Sequence, residues 1–159
     1  MLAATPAKAA PTIYEAENAT ISQGVVESNH AGFSGTGFVN YNNMSGSYVE
    51  WTVNTVSAGP STLTLRYANG TTTSRPMSVV VNGTPVATPA FGGTGAWTNW
   101  TSANLNITLA AGTNVIRATA TTANGGPNVD YAAVDVAAPP PALYEAEAGT
   151  HSQCVVESE

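Results

Sequence analysis

The chain has 159 residues, with four Lys or Arg against ten Asp or Glu, a formal net charge of −6, and only 9% charged residues. No cluster of cations exists to neutralise a run of phosphates, so binding to nucleic acid or to an anionic lipid surface is excluded, and Thr, Asn, Ser and Gly must supply the polar surface. No apolar run approaches the roughly 18 residues of a membrane-spanning helix, and the single cysteine, Cys154, has no partner for an internal disulfide.

Residues 1–12 carry no apolar leader segment and read as a linker or tail behind a start Met. Next comes Tyr14-Glu15-Ala16-Glu17, expected to open the first strand. Residues two apart in a strand share a face, roughly 6.5–7 Å apart. Two carboxylates so placed repel unless a cation lies between them, and calcium accepts several oxygens at roughly 2.3–2.6 Å. Asp135, near the end of the domain, supplies a third carboxylate if the first and last strands pair. The plainer alternative is two solvated acids on an edge strand. The stretch Gly32-Phe33-Ser34-Gly35-Thr36-Gly37 follows. No helical pattern and no Gly-Lys-Ser/Thr element accompanies it, so it is a tight loop with exposed carbonyls rather than a nucleotide site.

Alternation then dominates. Val49, Trp51 and Val53 share one face of a strand. Leu63, Leu65 and Tyr67 share another, and so do Met77, Val79 and Val81 before an Asn82-Gly83 turn. Ile107 and Leu109 end a strand, Val115–Thr119 forms the next, and Val129–Val136 closes the domain. Many short strands at near-regular spacing predict an all-β, antiparallel β-sandwich over residues 13–136, with a closed barrel as the lesser alternative.

Between these strands lie the polar and aromatic residues that could bind a ligand. Arg75, in the connection 69–76, can hold a carboxylate bidentately or form a surface ion pair. Trp97 and Trp100 are three apart, so an extended chain turns one inward and one outward. Trp97 abuts a glycine turn and is assigned outward, where its indole gives the C–H face of a pyranose a flat surface. The alternative buries both rings. Asn128 sits at a loop-to-strand junction, where its amide can meet vicinal hydroxyls or an ion, or simply shape the turn. Catalysis finds no support. His30 is the one histidine of the domain, Glu15 and Glu17 form no cleft wall, and the alternation predicts that Asp130 and Asp135 point apart.

The chain also repeats itself. Tyr14–Asn29 and Tyr144–Glu159 agree at eleven of sixteen positions, 130 residues apart, with the Pro/Ala segment 137–143 before the second copy. Residues 144–159 therefore read as the truncated start of a second module joined by a stiff linker.

The segments YEAE (14–17), GFSGTGFV (32–39), VEWTV (49–53), LRYANG (65–70), VVVNG (79–83), the W-x-x-W of 97–100, LAAGTNVIR (109–117) and PNVDYAAVDV (127–136) together resemble a family 35 carbohydrate-binding module, a close relative of family 6. The resemblance covers residues 13–136. It implies a jelly-roll sandwich without enzymatic activity, secreted and extracellular, and attached to a polysaccharide-degrading catalytic domain. It implies a monomer with a polysaccharide or oligosaccharide as partner, and a structural calcium near Glu15, Glu17 and Asp135. It further implies a sugar site built from Trp97 and Asn128, with Arg75 toward a uronate carboxylate and Phe33 and Ser34 in the matching glycine loop. Some members hold terminal glucuronic or unsaturated galacturonic acid through a second calcium in that pocket. Others bind mannan, galactosyl or xylan chains. A structural Ig-like spacer is the competing class.

Overall fold

A computed structural model describes residues 10–136; the linker and second copy expected at 137–159 lie outside them. Apolar alternation becomes alternation of burial. Along Tyr48–Thr55, Val49, Trp51 and Val53 are buried while the residues between them are not. Along Gly59–Ala68, Leu63, Leu65 and Tyr67 turn inward. Each buried Val or Leu side chain contributes about 1.5–3 kcal/mol.

The described residues form eleven strands: β1 (Thr12–Glu15), β2 (Thr20–Ser22), β3 (Gly24–Glu27), β4 (Phe38–Tyr41), β5 (Tyr48–Thr55), β6 (Gly59–Ala68), β7 (Met77–Val81), β8 (Thr84–Ala87), β9 (Thr101–Leu109), β10 (Gly112–Ala120) and β11 (Asn128–Val136). One sheet runs β3-β4-β11-β6-β9, with β1 also on β11; the other runs β2-β5-β10-β7-β8. Every pairing is antiparallel. The inner faces meet in a single core that includes Trp51, Leu63, Leu65, Tyr67, Phe91, Ile116 and Val134. This is the predicted all-β sandwich of jelly-roll type, two sheets that do not close into a barrel. The Asn82-Gly83 turn joins β7 to β8, with both residues at positive φ (50° and 81°), as a two-residue hairpin requires.

Strand β11 organises the site. Along one edge it pairs with β4 at Asn128 and Val129, and with β1 from Tyr131 to Val134. Its ladder with β6 slips by one residue between Val129 and Tyr131. Asp130 is the extra residue of that bulge, at the seam where β11 changes neighbours. A bulge resets the alternation of a strand, and here it turns Asp130 toward Arg66 on β6. Simple parity from the sequence misses this.

Two expectations about the acids need correction. β1 ends at Glu15, and Glu17 lies in a 3₁₀ turn, Ala16–Asn18. The two carboxylates therefore do not project from one strand face. Asp135 pairs with Thr62, four positions beyond Tyr131, the partner of Glu15. At the strand rise this is about 13 Å away, so Asp135 does not join the pair.

Candidate functional site

The connections at one end of the sandwich are short: 56–58, 82–83 and 110–111. Those at the other end are long: 42–47, 69–76, 88–100 and 121–127. The loop 28–37, between β3 and β4, lies across the outer face of the β1-containing sheet. Its Gly32 carbonyl meets Arg66 and its Ala31 carbonyl meets Trp100.

Asn69 holds two of the long connections together. It is fully buried. Its Nδ2 donates to the carbonyls of Thr73 (2.9 Å) and Phe91 (3.0 Å), and its Oδ1 accepts from the Thr71 N–H (3.1 Å). The Thr94 N–H donates to its carbonyl at 2.7 Å. The adjacent Gly70 offers bare backbone, and the Trp97 ring lies against it. A Cβ at Gly70 would stand 2.5 Å from Cδ1 of that ring, so only glycine leaves room for the indole.

Around Trp97, which is partly exposed, two further side chains gather. The Arg75 guanidinium carbon lies 5.6 Å from the ring centroid, within cation–π range. Nη1 of Arg75 donates to Asn43 Oδ1 (3.1 Å) and to the carbonyls of Asn124 (2.5 Å) and Gly126 (3.3 Å). Its Nε is buried with no acceptor among the described residues. Desolvation lowers the Arg75 pKa, yet a guanidinium stays charged. His30 approaches from the loop 28–37, its ring 6.1 Å from Trp97 and inclined by 23°.

On the outer face, Phe38 is buried although its neighbours Val39 and Tyr41 face the core. It is covered by His30 (5.9 Å), Phe33 (5.8 Å) and Trp100 (5.4 Å). Trp100 donates from Nε1 to the Ala31 carbonyl at 2.9 Å. Arg66 lies between Trp100 (5.4 Å) and Tyr131 (5.8 Å). It donates to the Gly32 carbonyl (2.8 Å) and to Asp130 Oδ2. The expectation that one of the two neighbouring tryptophans enters the core is corrected: neither does, because Trp51 and Phe91 occupy it.

The acids form the other cluster. Ser34 Oγ donates to the Glu15 carboxylate (2.9 and 2.7 Å), and its N–H donates to Asp130 Oδ1 (2.9 Å). The Thr36 N–H donates to Glu17 Oε1 at 2.7 Å. Gly35, at φ 63°, packs so closely that a Cβ there would lie 2.3 Å from Glu17 Oε1. Glu17 Oε2 is buried without a hydrogen-bond partner among the described residues. Burial raises the Glu15 pKa, and the charges of Glu17 and Asp130 raise it further, against the Ser34 hydrogen bond. Burial also raises that of Asp130, opposed by Arg66 and the Ser34 N–H.

The structure thus brings Trp97 and Arg75 together, with Asn128 buried two residues beyond Gly126, in register with Ala68 and Asn40. Phe33 packs on Phe38 and has no ring contact with Trp97 among the described residues. Ser34 belongs to the acid cluster. Sequence reasoning missed His30, Arg66 and Asp130. The Asp130 signal was the run Asn128-Val129-Asp130-Tyr131, whose bulge single-strand parity hides. Among the described residues, no three acidic, imidazole or thiol groups converge closely enough to hold a metal by themselves.

Comparison with known proteins agrees with this fold. The family model for carbohydrate binding module (family 6) matches residues 15–137. A family 35 carbohydrate-binding module from Clostridium thermocellum superposes with a TM-score of 0.78 at 50% identity, covering 79% of this chain and 98% of that one. A family 35 module in complex with a glucuronic acid-containing disaccharide superposes with a TM-score of 0.71 at 40% identity, covering 77% and 91%. An exo-beta-D-glucosaminidase of Amycolatopsis orientalis is 61% identical over 126 residues, 79% of this chain but 12% of the enzyme. The chain thus spans about an eighth of that relative.

Proposed function

This chain belongs to the family 35 carbohydrate-binding modules, close relatives of family 6, and from that premise we propose that it binds terminal uronic acids, glucuronic or unsaturated galacturonic acid. As in its relatives, it is a binding module of the kind found attached to glycoside hydrolases. The proposed role is to hold a secreted catalytic domain at a polysaccharide. The observation that carries the uronate reading is the Arg75 guanidinium fixed beside Trp97. The indole accepts the C–H face of the pyranose, and the guanidinium offers charge to its carboxylate through Nη2, since Nη1 bonds the loops and Nε is buried. Asn128 opens the strand two residues beyond the Gly126 carbonyl that Arg75 binds, and is the amide that the family resemblance assigns to the sugar. The relative with a glucuronic acid-containing disaccharide supports the same ligand class. A net charge of −6 makes a fixed cation in the pocket necessary for an anionic sugar.

Calcium belongs to this proposal. The buried Glu17 Oε2 without a partner, and a Glu15 carboxyl crowded by two other acids, are what a hard cation relieves. Glu15, Glu17 and Asp130 would hold it, with the hydroxyl and carbonyl oxygens of the 32–37 loop completing the set that three carboxylates alone do not make. When bound, the ion supplies positive charge and fixes that loop. The chain's own residues do the recognition.

Calorimetric titration with a disaccharide ending in glucuronic acid tests both readings. Binding is expected in the micromolar-to-millimolar range, roughly −4 to −8 kcal/mol, with neutral analogues weaker. EDTA is expected to weaken it and to lower the melting temperature by about 5–10 °C, the loss of an ion held well above its Kd. Equal affinity for neutral and acidic disaccharides would remove the uronate reading. An unchanged melting temperature in EDTA would remove the calcium.

A further inference from the structure

We propose that His30 is a sugar-contacting, specificity-determining residue of the Trp97 site, reading the hydroxyls of the residue stacked there. The proposal rests on the uronate reading above and deepens it. The imidazole lies nearly parallel to Trp97 on one side (6.1 Å, 23°) and to Phe38 on the other (5.9 Å, 30°). Phe38 is fully buried, so the ring rests on a fixed base. Ring contacts are the only interactions His30 makes among the described residues; neither nitrogen has a protein hydrogen-bond partner. A half-buried imidazole with both nitrogens open, beside an indole seated on glycine, is a donor and an acceptor awaiting a ligand. A neutral imidazole presents one of each, the pair that vicinal hydroxyls require.

The loop that carries His30 is held on its C-terminal side. Trp100 binds the Ala31 carbonyl, Arg66 binds the Gly32 carbonyl, and Asp130 and Glu15 bind Ser34. Such a tie cuts the ordering cost of binding. It also gives Arg66 and the acid cluster a role in the sugar site without any contact to the sugar.

The test uses titration of the same glucuronic acid-terminated disaccharide, with calcium, into four proteins: wild type, His30→Phe, His30→Ala and Trp97→Ala. His30→Phe keeps a ring against Phe38 and Trp97 but removes both nitrogens. It is expected to lose about tenfold in affinity, with its melting temperature within about 2 °C of wild type. His30→Ala is expected to lose at least as much. In wild type, the His30 ring proton resonances are expected to shift as sugar is added. Binding lost in Trp97→Ala but unchanged in His30→Phe, with stationary His30 resonances, would overturn the proposal and leave the uronate reading standing. No binding by wild type would overturn both.

Discussion

The two ends of the sandwich use the same residue type, buried asparagine, to opposite purpose. At the short-turn end, Asn114 is fully buried and closes a turn on itself. Its Oδ1 accepts from the Ala110 N–H at 2.9 Å, and its Nδ2 donates to the Ala110 carbonyl at 2.9 Å. Asn82 donates to the same Oδ1 at 2.9 Å. Both polar atoms of this amide are spent on the turn and on Asn82. At the long-loop end, Asn69 also satisfies backbone groups, but the loops it joins seat an indole on Gly70 and leave polar atoms unspent. Among the described residues these include the two nitrogens of His30. One end is finished as structure, and the other holds capacity for a ligand.

Substitutions at the two ends should therefore separate affinity from stability. The largest effect is expected from Trp97→Ala, a loss of at least 100-fold in affinity (about 2.7 kcal/mol) with little change in melting temperature. Calorimetry and thermal denaturation on one sample read both. Asn114→Ala is the mirror image. Losing the hydrogen bonds of its buried amide to the Ala110 N–H and carbonyl and to Asn82 should cost about 1–3 kcal/mol of stability while the sugar isotherm stays unchanged; an altered isotherm would show that the ends are coupled. Gly70→Ala comes next, since the new Cβ must push the indole off its seat. About tenfold weaker binding is expected, and an unaltered Kd would mean that the seat does not matter.

The smallest expected effect is on pH. Glu15 and Asp130 have pKa values raised above their ordinary 4.5 and 3.8. A carboxyl raised on folding contributes stability that is complete below its ordinary pKa and is lost as pH rises through the raised one. In EDTA, the melting temperature should therefore fall by a few degrees as pH climbs from the ordinary carboxylate range toward neutrality. Glu15→Gln should flatten that slope, and saturating calcium should abolish it. A melting temperature in EDTA that rises over the same interval would contradict the assignment.

The sandwich was legible from alternation because each core strand buries every second residue, as Val49, Trp51 and Val53 do. The short strands β2, β3, β4 and β8 were not, since three or four residues carry too little periodicity. The partial exposure of Trp97 was legible from the glycine turn beside it. Asp130 was not, because its orientation depends on a one-residue slip between β11 and β6 that no property of Asp130 announces. His30 was hidden for a related reason. Its value comes from the fold laying loop 28–37 across a sheet face toward Trp97, a contact 67 residues away in sequence.

The chain's three tryptophans offer the most direct measurement. Trp51 is sealed in the core, Trp100 is tied through Nε1 to the Ala31 carbonyl, and Trp97 lies at the open end beside Arg75. Three indole N–H signals followed by NMR during a glucuronic acid titration distinguish them. Saturable movement of the Trp97 signal, with Trp51 stationary and Trp100 nearly so, is the predicted result. A stationary Trp97 signal at saturating sugar would contradict the placement of the sugar on that ring.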